Sequence, residues 1–75
     1  MPKKMSEKQE RLVGLFRVAI EREQESQKLY DEMAATCEDD DLRLVIETLR
    51  DSERMHEEVL MERYKLLRKA EQFQG

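Results

Sequence analysis

Glu53 and His56 stand three residues apart, and His56 is the only histidine in the chain. On a helix, side chains at i and i+3 share a face, so this pair offers a carboxylate oxygen and an imidazole nitrogen to one metal ion. Taken alone the pattern is weak. Glu occupies 13 of the 75 positions, and a Glu three places before a lone His then arises by composition in about one chain in six. The chemistry becomes specific only if another donor reaches the same height, and Glu23 is the candidate.

The elements that must position these residues are two long helices. Charged residues make up 43% of the chain and apolar ones 39%, with two Gly and one Pro, which is the balance of amphipathic helices rather than of a sheet. Ser6-Glu7-Lys8-Gln9 reads as a capping box, in which the Ser6 hydroxyl accepts from the Gln9 N–H while the Gln9 side chain reaches back. From there positions 12, 16, 19, 23, 26, 30, 33 and 37 carry Leu, Phe, Ala, Glu, Ser, Tyr, Met and Cys. That four-three spacing marks one seam. Thr36-Cys37-Glu38-Asp39-Asp40-Asp41 interrupts it with acids suited to a turn and to the start of the next helix. A second seam runs through Leu42, Ile46, Leu49, Glu53, His56, Leu60, Arg63 and Leu67. The reading is all-α and one domain over 1–75. It has a first helix at about 7–37, a turn at about 38–40, a second helix at about 41–70 and a frayed end from Gln72 to Gly75.

A turn near residue 38 pairs positions whose numbers sum to about 76, which sets Glu23 opposite Glu53 and Ile20 at the level of His56. Two helices enclose no core, and Leu15, Ile20, Leu29, Leu44, Met55, Val59 and Leu66 lie off the seam. The expectation is therefore an antiparallel hairpin that dimerises into a four-helix bundle. Buried without compensation, Glu23, Glu53 and His56 would cost more than so small a fold tolerates. About a twofold axis, four carboxylates and two neutral imidazoles match the charge of two divalent cations. Oxygen and nitrogen donors in this ratio suit iron or manganese better than the thiolate-rich sites that zinc often uses. The competing reading is a non-catalytic interaction hairpin in which the same residues only fix helix register.

Other classes are excluded on composition. A net charge of -4 and a pI near 5.0, with every basic stretch interleaved with acids, speak against a nucleic-acid partner. No run approaches the roughly 18 apolar residues of a membrane span, and Met1-Pro2-Lys3-Lys4-Met5 leads into no apolar segment of a signal peptide. Cys37 stands alone, which permits neither an intrachain disulfide nor a CxxC site and fits a reducing cytoplasm.

Ala19-Ile20-Glu21-Arg22-Glu23, then Tyr30 seven residues after Glu23, then Glu53-x-x-His56 resembles the helix pair of rubrerythrins and other ferritin-like di-iron proteins. The match covers about residues 12–67. Rubrerythrin-type domains hold two such pairs in one chain, so this chain resembles a half-bundle and is most similar to the encapsulated ferritins. Those are two-helix proteins that build a ferroxidase centre between subunits and assemble into larger even-numbered homo-oligomers. The resemblance implies a ferroxidase that oxidises Fe(II) to Fe(III) for iron storage or detoxification. It implies two iron ions per homodimer, with manganese or zinc as substitutes, and Glu23, Glu53 and His56 as ligands. Tyr30 would pack beside the site. Glu25, Glu57 and Glu58 read as solvated helix faces rather than iron-entry ligands, and Glu25 is the best placed of them should an acidic approach draw iron in. The implied location is cytoplasmic, inside an encapsulin nanocompartment where a C-terminal targeting tail is present; nothing resembling that tail is legible through Gln74-Gly75. An iron-binding protein without turnover is the second alternative. In each metal reading His56 must be unprotonated to bind, so loading should weaken toward acid pH.

Overall fold

The computed structural model describes the backbone of residues 6–72 and the side chains of residues 6–69. Among them the chain is two helices, α1 (Glu7–Thr36) and α2 (Asp40–Gln72), packed against each other. At the start of α1, the Gln9 N–H donates to Ser6 Oγ at 3.2 Å and the Ser6 N–H donates to Gln9 Oε1 at 3.0 Å. Two of the N-terminal donors that a helix leaves open are thereby satisfied within four residues. The end of α1 carries no basic residue of its own. Arg43 of α2 fills that role: its Nε donates to the Ala34 carbonyl at 3.2 Å, and its guanidinium also reaches the Cys37 carbonyl and Asp40. A cation thus sits at the negative end of the α1 dipole.

Cys37-Glu38-Asp39 makes the turn. Asp39 Oδ1 accepts from the Asp41 N–H at 2.9 Å and the Leu42 N–H at 3.4 Å, while its carbonyl accepts from the Arg43 N–H at 2.9 Å. Asp39 is the N-cap of α2, and the run of acids ends where the helix dipole favours negative charge. The expected fraying at Gln72 is not seen, since α2 runs through that residue; residues 73–75 lie outside the described residues.

The hairpin is a rod of 61 × 16 × 13 Å with a radius of gyration of 17.2 Å, where a globule of this length would have about 11 Å. It exposes 6428 Å², against about 4,900 Å² for a compact chain of its mass. Its core is a single line: among the described residues Val13, Ile20, Ala34 and Ile46 are the buried apolar ones. Among the described residues twelve large apolar side chains remain exposed, including Leu12, Leu15, Leu29, Met33, Leu42, Leu49, Val59 and Leu66.

The burial pattern corrects the expected seam by one residue on each helix. On α1 the line facing α2 is 13, 16, 20, 23, 27, 30, 34 and 37; on α2 it is 43, 46, 50, 53, 57, 60, 64 and 67. Alternate positions, Glu23 and Glu53 included, belong to both the observed and the expected lines. The others, Leu12, Ala19, Ser26 and Met33 with Leu42, Leu49, His56 and Arg63, flank the contact along one edge. Ile20, expected to need outside cover, is instead 7% exposed and central.

Candidate metal centre

α1 brings Glu23 to the helix contact, and α2 brings Glu53 and, one turn further along, His56 within side-chain reach of it. His56 Nδ1 lies 3.7 Å from Glu23 Oε2 and 3.9 Å from Glu53 Oε2. One donor atom from each of the three residues falls within 4.8 Å of the others. The register thus differs from the expected one, since the cross-helix pairs Arg17–Tyr64, Gln24–Glu57 and Asp31–Arg50 sum to 81 rather than about 76, which brings His56 rather than Glu53 nearer the level of Glu23. The two carboxylates are half-buried, 22% and 23% exposed, and the imidazole is 60% exposed. Two anions are held at the helix contact with the nitrogen ligand at its open rim.

Glu23 Oε2 is buried and accepts no hydrogen bond among the described residues. Leaving such an acceptor unsatisfied costs about 1–3 kcal/mol, and more when it is charged. A divalent cation removes that cost directly. First-row ions bind carboxylate oxygen and imidazole nitrogen at about 2.0–2.2 Å, which holds neighbouring donors about 3.0–3.5 Å apart. The two separations from His56 exceed that by a few tenths of an ångström, and all three donors lie within 4.8 Å of one another. Two carboxylates and an imidazole are donors of the kind that iron- or manganese-type cations take, and three such donors from one chain would leave positions open for others.

Two residues singled out in the sequence stand further off. Tyr30 is half-buried on the face of Glu23 but seven residues, about 10 Å, further along α1. Its hydroxyl makes no hydrogen bond among the described residues. Glu25 is exposed and is not one of the converging donors.

Glu57, adjacent to His56, is more than the solvated acid its sequence context suggests. It turns to the opposite face of the hairpin and accepts from Gln24 Nε2 at 2.7 Å and Gln27 Nε2 at 2.9 Å. The Gln27 and Gln24 amides, in that order of effect, hold its carboxyl below the ordinary glutamate value. The legible signal was the Gln24-x-x-Gln27 spacing, two amides on one helix face. Their target could be named only once the register was known.

The same face carries Arg17 Nε donating to the Tyr64 hydroxyl at 2.7 Å, with the guanidinium 5.7 Å from the ring centre, and Arg50 paired with Asp31 at 3.0 Å. The pairs Arg17–Tyr64, Gln24–Glu57 and Asp31–Arg50 step seven residues up one helix for seven down the other, an antiparallel heptad ladder.

No protein-family model, no curated protein and no solved structure matches the chain. The likeness to rubrerythrins therefore rests on the motif residues alone. No helix among the described residues is long and apolar enough to cross a membrane.

Proposed function

We propose that two hairpins pair through the uncovered face, and that the paired site binds and oxidises Fe(II). The observation that carries the reading is Glu23 Oε2, a buried carboxylate oxygen with no hydrogen-bond partner, 3.7 Å from an imidazole nitrogen and beside a second carboxylate. Pairing two such sites yields four carboxylates and two imidazoles, enough charge to balance two ferrous ions and enough donors to leave each ion an open position.

Fe(II) is the substrate, and each ion gives up one electron. The pair thus delivers two electrons to dioxygen or peroxide, with two protons taken up to form peroxide or water respectively. The chain's own residues do four things in this scheme. Glu23 and His56 of each chain would together hold one ion, Glu53 would be the carboxylate shared with the second, and the carboxylates would offset the rising positive charge as iron is oxidised. Gln24 and Gln27 hold Glu57 on the far face, so its charge is directed away from the site.

Anaerobic Fe(II) titration followed by oxygen or peroxide tests the proposal. Saturation at two irons per dimer, followed by a new absorption band in the near ultraviolet on oxidation, is the expected result. Binding without an oxidant-dependent change would select an iron-binding role without turnover. Binding no greater than in E53A and H56A variants would leave the register-fixing interaction hairpin.

A further inference from the structure

Five residues of the chain are serine or threonine, and four of their hydroxyls are engaged locally. Ser6 Oγ caps α1. Thr36, Thr48 and Ser52 each donate to the carbonyl four residues back, at 2.8, 2.9 and 3.1 Å, the local bond open to a hydroxyl inside a helix. Ser26 is the exception. Its hydroxyl makes no hydrogen bond among the described residues, although the side chain is half-buried at the edge of the helix contact.

The register sets the level of that hydroxyl. On the edge of the hairpin that carries the donor set, Glu23 meets His56, and the two numbers sum to 79. Ala19 and Leu60 line one hollow along that edge and Met33 and Ile46 another, and both pairs have the same sum. Ser26 is thereby set opposite Glu53. The three converging donors are then three corners of a square whose sides are Glu23-x-x-Ser26 on α1 and, running the other way, Glu53-x-x-His56 on α2. One rung pairs a carboxylate with an imidazole, the other a hydroxyl with a carboxylate.

That second rung is complementary. A serine hydroxyl has a proton to donate, whereas an ionised carboxylate only accepts and has lone pairs enough for a cation and a hydrogen bond together. Glu53 accepts no hydrogen bond among the described residues, and Ser26 gives none. Neighbouring donors are committed elsewhere. Ser52, beside Glu53 in the chain, donates to the Thr48 carbonyl, and Gln24 and Gln27, on either side of Ser26, donate to Glu57. Carboxylates that ligate metals are themselves held by hydrogen bonds from residues outside the ligand set, and Ser26 is the residue placed to supply one.

We infer that Ser26 is a positioning residue of the candidate metal centre, its hydroxyl donating to the Glu53 carboxylate when that carboxylate takes up a cation. The inference rests on the metal reading proposed above and adds to it what holds the shared carboxylate in place.

Co2+ is the probe, a divalent cation whose visible absorption reports ligand geometry and whose binding needs no oxidant. In calorimetric titrations of the full chain, S26A should bind Co2+ about 10- to 100-fold more weakly, the loss that follows removal of such an outer partner, and its cobalt spectrum should change. S26T keeps the hydroxyl and should restore most of the affinity. S52A removes a hydroxyl already given to a carbonyl and should bind as the unaltered chain does. Alanine is a better helix former than serine, so S26A should raise the thermal midpoint of the ion-free protein even as it weakens binding. Those opposite signs separate positioning from packing. Unchanged affinity in S26A, an equal loss in S26T or S52A, or a lowered thermal midpoint in S26A would each overturn the inference and leave the metal reading standing. An unaltered chain that binds no Co2+ would overturn both.

Discussion

The two long faces of the hairpin are built from the same heptads but finished to different degrees. On one face every long polar side chain that reaches across the helix contact finds a partner in the same chain: Arg17 with Tyr64, Gln24 and Gln27 with Glu57, Asp31 with Arg50. On the other face a carboxylate oxygen is buried without a hydrogen bond, and Leu12, Met33, Leu42 and Leu49 are 40–51% exposed. The first face is complete in one chain. Burial left unsatisfied and apolar surface left bare are the marks of a face completed by something else, and here both marks fall on the same side as the converging donors.

That contrast is open to breakage at several points. The largest expected effect is on metal binding. E53A removes two ligands from each dimer and should lower Fe(II) affinity by more than about 100-fold, given that loss of an outer-shell partner alone costs 10–100-fold. Anaerobic calorimetry of E53A beside E57A checks it. Glu57 faces the finished side, so E57A should bind almost as the unaltered chain does, and equal loss in both would erase the distinction between the faces.

Next comes self-association. Leu12 is 44% exposed in the hairpin, so L12K should leave helicity unchanged while removing an apolar contact worth about 1.5–3 kcal/mol from each half of the interface. Dimerisation should weaken by about 100-fold or more in sedimentation experiments. R17A, on the finished face, should leave dimerisation as it is and lower the thermal midpoint of the hairpin instead. Reversal of that pattern would mean that the wrong face has been read as open.

Smaller effects sharpen the description of the finished face. Glu57 is held below the ordinary glutamate value by Gln27 first and Gln24 second. A carboxyl with a depressed folded value adds stability above its unfolded value and loses it as pH falls through the folded one. E57Q should therefore flatten the acid limb of the stability profile. Because the group is close to solvent, the effect should be about 0.5 kcal/mol or less, measured by urea unfolding at stepped pH. Smallest of all, the Arg17 hydrogen bond holds Tyr64 below the ordinary tyrosine value. In a Y30F background, absorbance titration of R17A should show Tyr64 moving back up.

Much of this was legible before any fold was seen. The capping box at Ser6, the acidic turn, the two helices and the joining of Glu23 to Glu53 each follow from side-chain chemistry acting over a few residues or from one repeating spacing. The expected seam missed by a single residue for a definite reason. On α1 the rows Leu12-Ala19-Ser26-Met33 and Val13-Ile20-Gln27-Ala34 are of similar hydropathy, so composition does not choose between them. On α2 it chose wrongly, because Leu42, Leu49, His56 and Arg63 look better suited to a contact than Arg43, Arg50, Glu57 and Tyr64. The polar row wins inside the hairpin because α1 supplies a partner for three of its members and the carbonyls at the end of α1 receive the fourth.

What the sequence determined by itself is therefore the period and the chemistry: two amphipathic helices, a short turn, and a Glu and a Glu-x-x-His placed to meet. Local hydrogen bonds and the helical repeat suffice for these. Only the tertiary structure decided which stripe faces inward, because that choice depends on whether each polar side chain finds its complement across the contact, and complements are set by register rather than by residue type. The same physics left Glu23 Oε2 buried without a hydrogen bond, on the side where the hairpin is still open.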